Sequence, residues 1–218
     1  MDENKLLHNY HELSDIERAQ YRVFVRPGWD EERRFFFEGD CNLIGQMYVA
    51  ERRALYELIL QRRPRHCFEV GTWSGGGSTY FISKAFSRLG TGLLYTLEAH
   101  PVLHRLARAY YQECLPEQAQ HVQFLEGGNV VDFETLIDEA SGVDCFFLDG
   151  SDTPEQTLEQ YRFFEDFIKP GTLMLAHDWN DIKQSLVRPL IEADARWRPV
   201  LRLEPPHSVG FVACEYQA

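Results

Sequence analysis

The segment CFEVGTWSGGGS, from Cys67 to Ser78, constrains the fold more than any other part of this 218-residue chain. An apolar run that contains Glu69 ends at a glycine-rich turn, and a helix-like stretch follows directly. Glycine lets the backbone turn tightly and approach a ligand that a side chain would block. The segment therefore predicts a buried strand, a ligand-binding turn and a helix.

The glycine spacing narrows the class of ligand. The dinucleotide fingerprint is G-x-G-x-x-G, whereas Gly71 and Gly75 are separated by three residues and no glycine follows at the third position of the fingerprint. A nucleotide-shaped ligand is expected at this turn, but a dinucleotide pyrophosphate is not the first expectation.

Strand-like and helix-like segments alternate from Cys67 onward, which is typical of a parallel sheet covered by helices on both faces. The predicted strands are 66–71, 93–98, 122–125, 143–149 and 172–177, and a terminal pair at 199–203 and 209–214. The predicted helices are 42–61, 78–88, 101–113, 154–168 and about 180–194. The fold class is α/β: a doubly wound, mostly parallel seven-stranded sheet with an antiparallel C-terminal edge. Residues 1–41 are predicted to form a helical or lid extension, and residues 42–218 the main domain.

Composition limits the partners and the location. A net charge of −12 disfavours binding to nucleic acid, whose phosphates attract clustered Lys and Arg. The charged N-terminus lacks the apolar core of a signal peptide, and no window reaches the length of a membrane span. The five cysteines show no metal-type spacing, which favours buried thiols in a reducing compartment. A cytoplasmic protein without a membrane or nucleic acid partner is expected.

Four segments occur in an order and spacing that resemble a known family. EVGTWSGGGS, YTLEAHP, VDCFFLDGSDT and LMLAHDW together resemble class I S-adenosylmethionine-dependent methyltransferases, over roughly residues 42–214. Within that class the chain is most similar to the small-molecule O-methyltransferases, which include the catechol-type enzymes and a related group with DG-x-H and HD at the ends of the fourth and fifth strands. The resemblance implies methyl transfer from S-adenosylmethionine to an oxygen of a small-molecule acceptor.

The expected cofactor-binding residues lie at the carboxyl ends of the predicted strands, where ligands bind in open α/β sheets. They are Glu69, Gly71, Thr72, Trp73, Gly75, Gly77, Ser78, Glu98, Ala99, Gly128, Asn129, Asp149 and Gly150. Glu98 ends the second strand and is placed to accept hydrogen bonds from ribose hydroxyls. Glu69 either contacts the amino acid portion of the cofactor or orients the glycine turn. Gly128 and Asn129 lie beside the adenine in the family, but ordinary turn chemistry would produce the same residues.

A metal site is left open. Catechol-type relatives hold Mg²⁺ with an acid that ends the fourth strand and an acid–amide pair that ends the fifth. Asp149 and Asp178 match the two acids, but Trp179 stands in the place of the amide and Asn180 follows one residue later. The site would therefore hold Mg²⁺ with two acids and several waters, or hold no metal.

Methyl transfer to oxygen needs a group that removes the acceptor's proton. His177 is the first candidate base, although it is also expected as a buried supporting residue, with strand alternation turning His177 and Asp178 to opposite sides. Asp152 stands where catechol-type enzymes have a lysine; it is either an alternative base or, as the favoured interpretation, the N-cap of the next helix.

Aromatic residues predict an acceptor pocket or an interface. Trp73 and Trp179 flank motif residues, and an N-terminal aromatic segment is expected to act as a lid or to form a homodimer contact; it contains Tyr21, Phe24, Trp29, Phe35, Phe36 and Phe37. Two rival functions are a nicotinamide-dependent oxidoreductase and a binding protein that has kept the sheet without turnover.

Overall fold

The predicted seven-stranded sheet is confirmed in a computed structural model of the chain, which describes residues 45, 47–205 and 208–218. The strands are β1 (His66–Val70), β2 (Leu93–Glu98), β3 (Val122–Glu126), β4 (Cys145–Leu148), β5 (Leu173–His177), β6 (Trp197–Leu203) and β7 (Phe211–Tyr216). Their order in the sheet is β3-β2-β1-β4-β5-β7-β6. Strands β1 to β5 pair in parallel, whereas β7 is antiparallel to both β5 and β6.

Helices connect the strands and cover both faces of the sheet. In the described ranges the α-helices are α1 (Val49–Arg62), α2 (Ser78–Leu89), α3 (Pro101–Cys114), α4 (Pro116–Ala119), α5 (Glu134–Glu139), α6 (Pro154–Glu165) and α7 (Val187–Ala193). Two 3₁₀ turns occupy Val130–Phe133 and Ile182–Gln184. None of these helices is both long and apolar enough to span a membrane. The predicted extension over residues 1–41, with its aromatic lid, lies outside the described residues.

The predicted continuous helix over about residues 180–194 is wrong. The segment forms the 3₁₀ turn Ile182–Gln184 and then α7, whose first turn contains Pro189. Proline has no N–H to donate to the carbonyl four residues earlier, and its ring clashes with that carbonyl, so an α-helix cannot run through the segment. Helices α4 and α5 and the 3₁₀ turn Val130–Phe133 were not predicted, because segments of 4 to 6 residues show no clear helical period.

Alternating side chains of the strands feed two separate cores. Cys67 of β1 and Phe147 of β4 face the core beneath α1, α2 and α3. Phe68 and Phe146 point to the opposite face, where Phe146 stacks on Phe164 of α6 at a centroid distance of 4.7 Å. Both faces of the central strands are fully buried, which explains their continuous apolar runs.

The order of the strands reverses between β1 and β4. From β1 the chain continues outward to β2 and β3, and from β4 it continues in the opposite direction to β5. Such a reversal opens a crevice beyond the carboxyl ends of the strands, because the connections leave on opposite sides. The turns after β1, β2, β4 and β5 therefore meet at one edge of the sheet.

Glu69 lies beneath the turn that follows β1 and joins three elements. It is fully buried, and its Oε2 accepts a hydrogen bond from Thr79 Oγ1 of α2 at 2.6 Å and another from Thr96 of β2. Burial raises the pKa of Glu69 from 4.5 to about 7, because the hydroxyl donors offset only part of the lost hydration. Glu69 therefore supports the turn from below.

We expect replacement of Glu69 by glutamine to remove a pH-dependent loss of stability. The raised pKa means that the native protein is stabilised by a neutral Glu69 below about pH 4.5 and loses this stabilisation as the pH rises through about 7. Above that pH the Glu69→Gln variant should be more stable than the wild type by on the order of 3 kcal/mol. Urea unfolding over a pH series measures this difference.

The low-pH end of the same series is the internal control. Both proteins carry a neutral side chain there, so their free energies of unfolding should converge. A difference that stays constant from acid to alkaline pH would show that Glu69 titrates with its ordinary pKa and that the stability change arises from packing.

Candidate functional site

A cleft of about 520 Å³ lies at the carboxyl ends of the parallel strands. This volume is within the roughly 300–1,000 Å³ typical of small-molecule sites. The cleft is lined by Gly45, Met47, Gly71, Thr72, Trp73, Gly77, Ser78, Glu98, Ala99, His100, Leu103, Asp149, Gly150, Ser151, Asp152, Asp178, Asp181 and Lys183. The structure thus gathers residues that follow β1, β2, β4 and β5 around one space.

Two glycines allow the turns after β1 and β4 to touch at the floor of the cleft. A Cβ atom added to Gly71 would lie 2.6 Å from the Cα of Gly150, and one added to Gly150 would lie 2.7 Å from the Gly71 nitrogen. Gly71 also has a φ of +101°, a backbone conformation that side chains rarely adopt. Both positions therefore require glycine for a close main-chain approach.

Two main-chain N–H donors hold Glu98 at the side of the cleft where β2 ends. The Trp73 N–H donates to its Oε2 at 2.6 Å, and the His100 N–H donates to its Oε1 at 2.9 Å. Burial raises the pKa of Glu98, and these two hydrogen bonds partly oppose the rise. Each carboxylate oxygen has a further lone pair, so Glu98 can accept hydrogen bonds from two neighbouring hydroxyls of a ligand.

The predicted glycine-turn residues divide into two groups. Gly71, Thr72, Trp73, Gly77 and Ser78 line the cleft. Gly75 and Glu69 are not among the lining residues: the Gly75 carbonyl accepts a hydrogen bond from the Tyr111 hydroxyl, and Glu69 lies beneath the turn.

The turn after β3 lies beside the cleft but does not line it. A Cβ on Gly128 would be 3.5 Å from the Cβ of Ala99, which does line the cleft. The Asn129 side chain accepts a hydrogen bond from the Val131 N–H and so caps the 3₁₀ turn that begins at Val130. Asn129 therefore stabilises a local turn, which was the alternative to a contact with the adenine.

Five charged side chains meet where β4 and β5 end. Lys183 Nζ lies 2.8 Å from Asp149 Oδ1 and 2.8 Å from Asp178 Oδ2. His177 Nδ1 lies 3.4 Å from Asp149 Oδ1 and 3.3 Å from Asp178 Oδ1, and its Nε2 lies 3.0 Å from Glu51 Oε2. We call Glu51, Asp149, His177, Asp178 and Lys183 the charged cluster.

The prediction that His177 and Asp178 face opposite sides is wrong. Strand β5 ends at His177, and Asp178 has a φ of +54°, outside the range of an extended strand. The left-handed backbone turns the Asp178 carboxylate back toward the imidazole. Strand alternation applies only while the backbone remains extended.

Charge pairing controls protonation in the cluster. Burial works against a charged imidazole, but the carboxylates of Asp149, Asp178 and Glu51 outweigh it and raise the pKa of His177 well above its usual value. Burial likewise opposes ionisation of Asp178, yet His177 and Lys183 lower its pKa far below the ordinary range. Burial lowers the pKa of Lys183, and the two aspartates more than reverse that effect. The three carboxylates therefore favour the protonated form of His177.

Glu51 and Lys183 were missed by the sequence reasoning. Glu51 lies in the first turn of α1 and reaches His177 across 126 residues of chain. Its second oxygen accepts a hydrogen bond from Ser208 Oγ at 2.6 Å. The sequence pattern around Glu51 and Lys183 does not distinguish them from other charged residues. Their contacts with His177, Asp149 and Asp178 arise only in the tertiary fold.

The interpretation of Asp152 as a helix cap is wrong. The N-cap of α6 is Thr153, whose side chain accepts a hydrogen bond from the Gln156 N–H. Threonine and aspartate are both good N-caps, so the sequence did not separate the two positions. Asp152 is exposed and lines the cleft.

The residues after β5 do not supply the amide of a catechol-type metal site. Trp179 is buried and does not line the cleft, and the Asn180 side chain is bonded to Glu204 and Arg188. Asp149, His177 and Asp178 do offer ligand atoms within 4.8 Å of one another, as a divalent cation requires. The Lys183 ammonium, however, already lies between the two carboxylates, so a metal fits this donor set only if Lys183 moves away.

Comparisons with known proteins agree with this architecture. The chain is similar to a Klebsiella pneumoniae protein assigned to the O-methyltransferases, with 21% identity, a TM-score of 0.66, and coverage of 96% of this chain and 99% of the other. A second solved structure is the O-methyltransferase TomG from Streptomyces achromogenes in complex with S-adenosylmethionine, with 16% identity, a TM-score of 0.62, and coverage of 96% and 99%. A third is an O-methyltransferase from Bacillus cereus in complex with S-adenosylhomocysteine, with 17% identity, a TM-score of 0.61, and coverage of 95% and 100%.

Sequence comparison gives the family directly. No curated protein matches the chain. Residues 68–179, which run from β1 to just beyond β5 and contain Glu98, Asp149 and Asp178, match the family described as a methyltransferase domain. That segment is slightly more than half of the 218 residues. The chain belongs to this methyltransferase family.

Proposed function

We propose that the protein transfers the methyl group of S-adenosylmethionine to an oxygen of a small-molecule acceptor. The observation that carries the proposal is Glu98, which two main-chain N–H groups hold at the cleft beside the glycine turn. A carboxylate at this position is suited to the two ribose hydroxyls of a nucleoside. The family and the S-adenosyl ligands of two similar structures support the same cofactor.

The cofactor would lie across the ends of β1 and β2. Its ribose hydroxyls would bond to Glu98, and its adenine would pack near Ala99, Leu103 and Gly128. Its methionine portion would follow the main chain of Gly71, Gly77 and Ser78. This orientation directs the sulfonium methyl toward the ends of β4 and β5, where the charged cluster lies.

The reaction is a direct displacement. The acceptor oxygen forms a bond to the methyl carbon while the bond from that carbon to sulfur breaks, and sulfur keeps the electron pair as the neutral thioether of S-adenosylhomocysteine. The proton of the acceptor hydroxyl must leave as the new bond forms. Holding the oxygen in line with the methyl group supplies much of the rate, because no covalent intermediate with the protein is needed.

We assign the proton-accepting role to Asp152 and a positioning role to His177. Asp152 is exposed at the cleft and is free of the helix-capping role, which Thr153 performs. His177 is 2% exposed and faces carboxylates at both ring nitrogens, so it orients Asp149 and Asp178 instead of taking a proton.

Other expectations from the sequence stay predictions. They are a cytoplasmic location, the absence of a nucleic acid partner, a homodimer and the domain boundary after residue 41. The nicotinamide-dependent and non-catalytic alternatives have no observation in the cleft that favours them over methyl transfer.

We expect S-adenosylmethionine and S-adenosylhomocysteine to bind the purified protein in isothermal titration calorimetry, and NAD not to bind. Glu98→Gln should weaken both sulfur ligands by roughly 10- to 100-fold, because a hydrogen bond to a charged group contributes about 1.5–3 kcal/mol. Binding of NAD without binding of either sulfur ligand would refute the proposed function.

Glu126 provides a matched control for Glu98. The two glutamates are register partners at the ends of β2 and β3, but Glu126 does not line the cleft and contacts His104. Glu126→Gln should leave the affinity for S-adenosylmethionine unchanged. Equal weakening by both variants would mean that the charge of the sheet edge matters and not a contact between Glu98 and the ribose.

We expect Asp152→Asn to lower kcat by on the order of 100-fold or more, because general-base contributions are of that size. S-adenosylmethionine with a tritiated methyl group is incubated with a panel of phenols, hydroxy acids and sugars. The compound that receives the most labelled methyl group is the acceptor used for the measurement. The affinity for S-adenosylmethionine should not change.

Asp166→Asn, at the opposite end of α6, tests whether the loss of charge on this helix matters by itself. It should retain full activity. An Asp152→Asn variant with wild-type kcat would show that another group, or solvent, accepts the proton.

A further inference from the structure

We propose that the Lys183 ammonium is the resident cation of this site: it takes the place of a divalent metal between Asp149 and Asp178 and positions the acceptor oxygen. This inference rests on the proposed methyl transfer and names the group that holds the acceptor. It makes the enzyme independent of Mg²⁺.

The Lys183 ammonium lies where a bridging cation would lie. Lys183 Nζ is 2.8 Å from one oxygen of each aspartate, and the two aspartates directly follow the adjacent strands β4 and β5. The Lys183 side chain is only 12% exposed, yet it lines the cleft. A cation that bridged these two carboxylates would occupy the same place.

The backbone around Lys183 fixes the residue in this position. Asp181 caps the 3₁₀ turn by accepting a hydrogen bond from the Lys183 N–H at 3.1 Å. On the other side of Lys183, Gln184 Nε2 donates to the His177 carbonyl at 3.0 Å, inside the protein. The turn is therefore tied to the end of β5, and the lysine is held over the two acids.

The charges around the two aspartates oppose the entry of a divalent ion. Asp149 and Asp178 each contact Lys183 on the cleft side and His177 on the side of the sheet. A divalent ion that entered between them would have to displace Lys183, since an ammonium and a doubly charged ion repel strongly at contact distance in a partly buried site. The cluster therefore disfavours the metal for which its acids would otherwise be suited.

The ammonium can also perform part of the chemistry of a metal. It has three N–H donors, and the two aspartates use two of them in the described part of the chain. The third can donate to the acceptor oxygen and orient it toward the sulfonium methyl. As the carbon–oxygen bond forms and the carbon–sulfur bond breaks, the hydroxyl proton passes to the Asp152 carboxylate. Lys183 keeps its own protons.

Electron paramagnetic resonance with Mn²⁺ as the probe tests this proposal, because bound Mn²⁺ loses the sharp signal of the hydrated ion. We expect the full-length wild type to leave the signal unchanged. Lys183→Met should bind one Mn²⁺ per chain at least about tenfold more tightly than the wild type, because it removes one adjacent positive charge and leaves both acids. The double variant Lys183→Met/Asp149→Asn should lose that binding.

Lys169→Met is the matched control, since it removes another lysine–aspartate pair, with Asp144, away from the cleft. It should behave as the wild type does. Stoichiometric Mn²⁺ binding by the wild type that disappears in Asp149→Asn would overturn the proposal, and this measurement does not depend on how the lysine variants fold. Failure of folded Lys183→Met to gain Mn²⁺ would overturn it as well.

Affinity for S-adenosylmethionine separates this proposal from the proposed function. The wild type, Lys183→Met and Lys169→Met are first titrated with S-adenosylmethionine, whose ribose would bond to Glu98, and all three should bind it. If the wild type does not bind S-adenosylmethionine, the proposed methyl transfer is rejected. If the wild type binds both S-adenosylmethionine and Mn²⁺, only the proposed role of Lys183 is rejected.

Discussion

The contact between Gly71 and Gly150 is the constraint on which the arrangement of the site depends. Strand order reverses between β1 and β4, so the turns that follow these strands must diverge from a common point. With no Cβ on either residue, the two main chains meet at the floor of the cleft. The turns that carry the residues around Glu98 and Asp149 therefore meet through a direct main-chain contact. A ligand that spans the two faces meets a site whose width is already fixed.

Charge balance is the second constraint, and it joins elements that are distant in sequence. Buried carboxylates are costly unless they are paired and hydrogen-bonded. Asp149 and Asp178 are compensated from the cleft by Lys183 and from the interior by His177, and Glu51 of α1 completes the surroundings of the imidazole. Replacing one residue of the charged cluster by a neutral residue would leave a charge on a neighbouring residue without its partner. Helix α1, strand β5 and the turn after it are thus held together by electrostatics as well as by packing.

The sequence predicted the parts of the molecule that local patterns determine. Buried strands appear as apolar runs, so all seven strands were placed to within a few residues. Glu98 and Asp149 were expected at the site because they end or follow such runs, and both line the cleft. The contacts of the charged cluster were not accessible in the same way. The left-handed backbone of Asp178 has no sequence signal, and Glu51 meets His177 only through the tertiary fold. Asp152 and Thr153 are equally suited to cap a helix, so their roles could be separated only by geometry.

The origin of Glu51 and Lys183 has a consequence for how such proteins are classified. Both residues lie outside the segment 68–179 that defines the match to the family, although both contact side chains inside or next to it. The segment contains the two acids and His177, but not Lys183, which contacts both acids on the side of the cleft. Two chains with the same matched segment can therefore differ in whether a lysine or a metal ion stands between those acids. To divide the family by cation requirement, one would have to compare the residue at the position of Lys183, in the turn after the fifth strand. A substitution at that one position determines whether a positive charge is present.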